Sequence, residues 1–392
     1  MKNIAILSAA RTPVGSFLGK LSSLPAPALG AAAIRAALER GGVDPAEVEQ
    51  VVLGNVLQAG QGQAPARQAS RAAGIPDEVP CVTVHKVCGS GMRAVMDVAN
   101  AIQAGEYGLA VAGGMESMSN APYLLERART GYRMGNASVV DSMIKDGLWD
   151  PYGDVHMGNC AELCVAKYGF TREEQDAYSL ESYRRAQHAA TEGLFAEEIV
   201  AVNVPQKKGD PERVDRDEEP FAAPLDKMKS LKPAFQKDGS VTAANSSKIN
   251  DGAAALVIAS EERAREKGAR PLARILAYTG VAQAPEWFTT APIGAIRKLL
   301  EKTGLKAGDI DLFEINEAFA AVALAAIREL DLDPARVNVR GGAVAMGHPI
   351  GASGARILTT LVHALRREGK KRGVAAICIG GGEATAMLVE AA

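Results

Sequence analysis

Two of the five cysteines in this 392-residue chain stand where a thiol could do chemistry. Cys88 lies in HKVCGSGMRAV (85–95), between a strand that reads as ending at Val87 and a helix opened by Gly89. A helix N-terminus leaves backbone N–H groups without partners and carries the positive end of the helix dipole. Both favour thiolate, so a nucleophile of lowered pKa is expected at Cys88. Gly89 and Gly91 permit close approach by a substrate arm. A cysteine before a helix is commonly no more than a small buried hydrophobe, and it is the other motifs that favour catalysis. His348, in NVRGGAVAMGHPIGASGARI (338–357), is held between Gly347 and Pro349, just before a helix start at Ser353. A histidine fixed in that way suits proton transfer from a thiol. Cys378 opens CIGGGEA (378–384), near the end of a strand over 374–379, and Gly380 can offer a backbone N–H to a developing oxyanion. Asn316, in EINEAFAA (314–321), ends a strand and begins a helix. Its spacing favours an N-cap, with the positioning of a water or carbonyl oxygen as the alternative.

Other chemistries find less support. His156, Cys160 and Cys164 recur at four-residue spacing and would share a helix face, but no fourth ligand is in sight and no metal is expected. GASGAR lacks the lysine and spacing of a phosphate loop, and no GxGxxG follows the first strand. Glu116 and Glu383 read as partners of turn backbone, and His85, His188 and His363 carry no assigned role. An odd, sparse cysteine set argues against a disulfide framework. The net charge of −2 leaves no electrostatic footprint for nucleic acid. With 47% hydrophobic and 23% charged residues, the chain is neither disordered nor unusually apolar, and no run of about 18 apolar residues predicts a membrane span. MKNIAILSAARTPVG reads as a strand and loop rather than a signal peptide, so a cytoplasmic protein is expected.

The elements that must hold these residues alternate. Strands are predicted over 4–7, 51–56, 81–87 and 109–112, and helices over 26–39, 66–73 and 89–104, the last with Met92, Val95, Met96, Ala99 and Ile102 on one face. That rhythm implies an α/β fold. It breaks from 119 to 248, a more polar stretch with helical pieces over 158–168 and 173–191, which reads as a long insertion. It resumes with strands over 254–260 and 272–279. The second half also repeats the first. VLGN (52–55) matches FEIN (313–316), 261 residues on; GSGMR (89–93) matches ASGAR (352–356), 263 on; GGME (113–116) matches GGGE (380–383), 267 on. Duplicated halves would bring the Cys88 and His348 loops together across a pseudo-twofold axis.

The ordered motifs SAARTPVGSFLGKLS, VCGSGMRA, GGMESMSNAPY, HMGNCAE, LKPAF, NSSKINDGAAALV, NEAFAA, GHPIGASGAR and CIGGG resemble the thiolase family, specifically its acetyl-CoA acetyltransferases, nearly end to end. The resemblance implies a duplicated five-layer α-β-α-β-α fold. Residues 1–118 with 249–271 would form the N-terminal half, 119–248 an inserted loop domain, and 272–392 the C-terminal half. It implies reversible Claisen condensation of two acetyl-CoA to acetoacetyl-CoA plus CoA, with no cofactor or metal; a longer-chain 3-ketoacyl-CoA thiolase of β-oxidation and a non-catalytic thiolase-like lipid carrier are the alternatives. Cys88 would carry the acetyl group, His348 take its proton, and Cys378 act as the second acid/base. Asn316 would hold a water that forms one oxyanion hole with His348, while the N–H groups of Cys88 and Gly380 form the other. Leu148, His156, Met157, Leu231, Phe235, Ala243, Ser247, Ala318 and Phe319 would contact coenzyme A. The family also implies a homodimer or homotetramer, with 122–140 as a candidate pairing arm. The chain departs from the family pattern at Lys248 and Ala244, where many members have glycine. Pro220 falls near the place of an arginine that stacks on adenine in many members, with Arg216 upstream. Trp287 and Phe288 occupy the variable lid, 285–292.

Overall fold

Residues 4–392 are described by a computed structural model; Met1–Asn3, the start of the expected first strand-and-loop stretch, lie outside them. The first half supplies β1 (Ile4–Arg11), α1 (Ala26–Gly41), β2 (Gln50–Gly54), α2 (Pro65–Ala72), β3 (Cys81–Val84), α3 (Ser90–Ala104) and β4 (Leu109–Ser117). Then follow α4 (Met157–Tyr168), α5 (Arg172–Thr191) and β5 (Asn250–Ser260). The second half supplies β6 (Ala273–Ala282), α6 (Ala291–Thr303), β7 (Leu312–Ile315), α7 (Ala320–Glu329), α8 (Ser353–Arg367), β8 (Arg372–Ile379) and β9 (Glu383–Ala391).

The nine strands form one path, β7-β8-β9-β6-β1-β5-β4-β2-β3, with Gly15–Ser16 added beside β5. β1 and β6 pair antiparallel at the centre and join two half-sheets. Reading outward, each half has two antiparallel steps and then a parallel pair, β4 with β2 and β8 with β7. Where β3 flanks β2, the second half has a single parallel bridge from Phe313 to Val337.

Strand alternation sorts the side chains into layers. Along β5, Ala253, Ala255, Val257 and Ala259 join a core with α1 and α2, while Ala254, Leu256 and Ile258 join one with α3 and α8. Along β8, Ala375 and Ile377 enter that second core, whereas Val374, Ala376 and Cys378 pack with α4, α6 and α7. Helices α3 and α8 are therefore a middle layer shared by both half-sheets, which gives the α-β-α-β-α order. Their first turns pack backbone to backbone. A Cβ on Gly91 would lie 2.8 Å from the Ala355 nitrogen, and one on Gly354 would lie 2.4 Å from the Met92 nitrogen. The glycines of GSGMR and ASGAR thus serve this crossing, which brings the loops before the two helices together.

The structure corrects several expectations. Register pairs Leu53 with Gly113 and Glu314 with Ala375, so the VLGN/FEIN match equates GGME with 375–378 rather than GGGE. The two glycine runs exist for different reasons. A Cβ on Gly113 or Gly114 would come within 2.1 Å of a backbone carbonyl oxygen, whereas Gly381 and Gly382 make a turn at φ 89° and 84°. The strand expected to reach Val87 stops at Val84, and Val87 itself turns left-handed at φ 44°. β1 runs on to Arg11, whose buried guanidinium donates to Glu198 at 2.6 Å and to Asp217 at 2.7 and 3.0 Å. Such a pair is costly to break from one side and fastens the segment between β4 and β5 onto the sheet. Among the described residues, no helix is long and apolar enough to cross a membrane.

Candidate active site

The left-handed Val87 lifts the chain out of the sheet just before α3. Ser90 Oγ stitches this turn, accepting from the Lys86 N–H at 2.8 Å and donating to the Val87 carbonyl at 2.7 Å. Cys88 is thereby held at the head of α3, with its own backbone N–H and that of Gly380 directed at the sulfur. The thiol is not acidic, contrary to the sequence expectation. Burial pushes it up to about 11, and the two N–H groups offset this only in part. A nucleophile in this position needs a base.

His348 lines the same cavity, although its ring is buried. Its Nδ1 lies 2.6 Å from Ser353 Oγ, and the Ser353 hydroxyl donates to the Pro349 carbonyl at 2.8 Å. The one hydroxyl proton is committed, so Nδ1–H is the donor and the lone pair sits on Nε2. That Nε2 is buried with no partner among the described residues. Burial, and then the charge of Arg356, lowers the ring to about 3, so it rests neutral at pH 7 with Nε2 unprotonated.

Asn316 is not an N-cap. Helix α7 starts four residues later at Ala320, with Phe319 as its uncapped N-cap residue. Both the Oδ1 and Nδ2 of Asn316 are buried and lack protein partners. A polar amide left unpaired in an interior is costly, and Asn316 is not among the residues that line the open cavity. Cys378, on β8, is fully buried and does not line the open cavity. Its thiol is held well above the usual range, first by burial and then by charge on the nearby Cys88. Glu116 accepts from the N–H groups of Val56, Leu57 and Gly351 and so joins the Asn55 turn to the loop after His348. Glu383 pairs instead with Lys86, across the two halves.

The cavity has a volume of about 400 Å³, within the range of small-ligand sites. Cys88, His348 and Gly380 share it with eight of the nine expected coenzyme A contacts: Leu148, His156, Met157, Phe235, Ala243, Ser247, Ala318 and Phe319. Leu231 falls outside, lining an adjoining depression with Ala243 and Lys248. An aromatic wall is built by His156 stacked on Phe235 at 4.8 Å, with Phe319 edge-on to Phe235 at 6.0 Å and to Phe288 at 6.4 Å. Of the two lid aromatics, Phe288 faces the cavity, whereas Trp287 lies beneath the Lys167 ammonium. Cys160 and Cys164 are buried in the apolar core, apart from His156 on the wall, and no group of His, Cys, Asp or Glu suited to a metal occurs among the described residues. Sequence reasoning assigned no site role to Ile249, Ile350, Met118, Glu219 or Lys248, which also line the cavity. Ser353 marks a helix start in the sequence, and its hydroxyl, five residues after His348, is the available signal.

A thiol from one half and a neutral imidazole from the other share one cavity at the head of paired middle-layer helices, an arrangement open to thiol chemistry on a duplicated α/β fold. Residues 4–262 match the model of the thiolase N-terminal domain and 269–391 that of the thiolase C-terminal domain, so the chain belongs to the thiolase family. It is 52% identical to the acetyl-CoA acetyltransferase of Cupriavidus necator over 393 residues, covering 100% of both chains. It is 54% identical to acetyl-CoA acetyltransferase 1 of Arabidopsis thaliana, covering 99% of this chain and 94% of the relative. A thiolase from Ascaris suum, solved in complex with coenzyme A, superposes with a TM-score of 0.95 at 49% identity over the full length of both chains. The acetyl-CoA acetyltransferase of Bacillus anthracis gives 0.98 at 44% identity, covering 100% of this chain and 99% of that one.

Proposed function

We infer that this thiolase is an acetyl-CoA C-acetyltransferase, converting two acetyl-CoA reversibly to acetoacetyl-CoA and CoA without metal or cofactor. The observation that carries the reading is the pairing, in one cavity, of Cys88 with a His348 whose free Nε2 lone pair is fixed by Ser353.

Protons balance as follows. His348 Nε2 takes the Cys88 proton as the thiolate attacks the acetyl carbonyl, and the N–H groups of Cys88 and Gly380 stabilise the oxyanion. Cys378 rests as a thiol and gives its proton to the departing CoA sulfur. The Cys378 thiolate so formed removes a proton from the α-carbon of a second acetyl-CoA. The enolate oxygen is held by the imidazolium Nε2–H and by a water on Asn316. The carbanion attacks the acetyl-Cys88 carbonyl, acetoacetyl-CoA forms, and His348 returns its proton to the leaving Cys88. Each half-reaction ends with a released product, so the kinetics are ping-pong.

As part of this reading, 119–248 carries much of the coenzyme A site between the two halves, and the enzyme works in the cytoplasm as a homodimer or homotetramer. The pairing role of 122–140 is supported by its outward apolar side chains, among them Tyr123, Met134 and Val139.

Steady-state thiolysis across a chain-length series tests the reading. Parallel ping-pong lines and fastest turnover on acetoacetyl-CoA are expected; an intersecting pattern, or faster turnover on long chains, refutes it. In this reading the acyl end lies against Phe288, the lid aromatic that lines the cavity. Phe288→Ala makes room for two more methylenes at about 0.8 kcal/mol each, a roughly tenfold shift in preference from acetoacetyl-CoA toward 3-ketohexanoyl-CoA. An unchanged ratio would mean that the acyl group lies elsewhere.

A further inference from the structure

Lys248 stands on the wall shared by the active-site cavity and the adjoining depression. Its ammonium does not reach into free space. It donates to the carbonyls of Ala243 at 2.7 Å, Ser246 at 2.8 Å and Val344 at 3.2 Å, which uses all three of its N–H bonds. The first two carbonyls belong to the loop that presents Ala243 and Ser247 to the cavity. The third belongs to the turn four residues before His348, and the Val344 N–H on its other side is held by Glu317 Oε2 at 3.0 Å. The histidine loop has tethers of its own, because Asn250 Oδ1 accepts the His348 N–H at 2.9 Å and Ser353 holds the ring. The substrate-facing loop meets the turn before His348 through the hydrogen bonds of this lysine and through Ala244, which shares an apolar cluster with Val344, Ala345 and Met346.

We propose that Lys248 is a positioning residue whose ammonium clamps the substrate-facing loop 243–247 onto the turn before His348, and so holds in place the wall on which the thioester arm binds. This rests on the thiolase reading above and concerns a residue at which this chain departs from the family pattern. Three groups face the ammonium from the elements packed on it. They are the Tyr183 ring of α5 at 5.6 Å, Glu219 from the Glu219–Ala222 turn, and Glu317 from the loop after β7. Burial outweighs the two carboxylates and lowers Lys248 to about 8. The clamp is therefore charged below pH 8 and loses its charge and one donor above it.

The test is the concentration of acetyl-CoA that half-saturates acylation of Cys88, with the maximal acylation rate read in the same experiment. Lys248→Met keeps the chain length and removes the charge-assisted hydrogen bonds; it should raise half-saturation about tenfold with the maximal rate within about threefold, because His348 keeps its own tethers. Lys248→Arg should stay within about threefold of wild type. Between pH 7 and 9, half-saturation should rise in the wild type but not in Lys248→Arg, whose guanidinium stays charged. That comparison remains decisive if the Met variant folds poorly. Coincident pH profiles, or a Met variant that binds like wild type, would overturn the proposal. If the wild type forms no acyl-Cys88 at all, it is the thiolase reading that fails and not the clamp.

Discussion

In His348→Ala, acetyl-CoA:CoA exchange and condensation are both expected to fall by about 10²–10⁴-fold, the range of positioned general-base catalysis. The structure gives the cause. Desolvation holds the Cys88 thiol above its usual range, so a productive encounter needs its proton removed in place. The pH dependence is a second signature. The ring titrates near 3, so wild-type exchange should show no histidine inflection between pH 5 and 8. In the variant, residual exchange should climb about tenfold per pH unit as hydroxide replaces the base, levelling only near the thiol pKa. A variant that keeps more than about a tenth of wild-type exchange, or a flat residual profile, would remove His348 from the role of base.

Cys378→Ala should separate the half-reactions. Carbon–carbon bond formation is expected to drop about 10²–10⁴-fold, since the α-proton then has no acceptor at hand. Exchange through acetyl-Cys88 should fall no more than about tenfold, because CoA thiolate departs readily without full protonation. The thiol is buried behind Cys88 and held well above its usual pKa, so it rests as an acid and becomes a base only after giving up its proton to the first CoA. Equal losses in the two assays would contradict this division of labour.

The readings that sequence carried well were those with a local cause. Gly347 and Pro349 bracket His348, Gly89 and Gly91 bracket the α3 start, and the Ala-rich helices announce themselves by spacing; each is a few residues wide. What sequence missed depends on residues far apart. Arg11 falls in the loop expected after the first strand because its partners, Glu198 and Asp217, are 187 and 206 positions away. The acidity of Cys88 was misjudged because the helix terminus is visible in the sequence and the burial is not. The GGME and GGGE runs share letters, but one admits a neighbouring carbonyl and the other makes a turn. Lys248 stood out only as a departure, since the three carbonyls that it gathers come from two loops brought together by the fold.

The central claim is that Cys88 carries the acyl group. Wild-type enzyme mixed with acetyl-CoA, quenched in acid and digested, should show by mass spectrometry one acetyl group per chain on the peptide that contains Cys88, with the label discharged by added CoA. Acetyl found on Cys378 instead, or no covalent adduct during active turnover, would contradict the account.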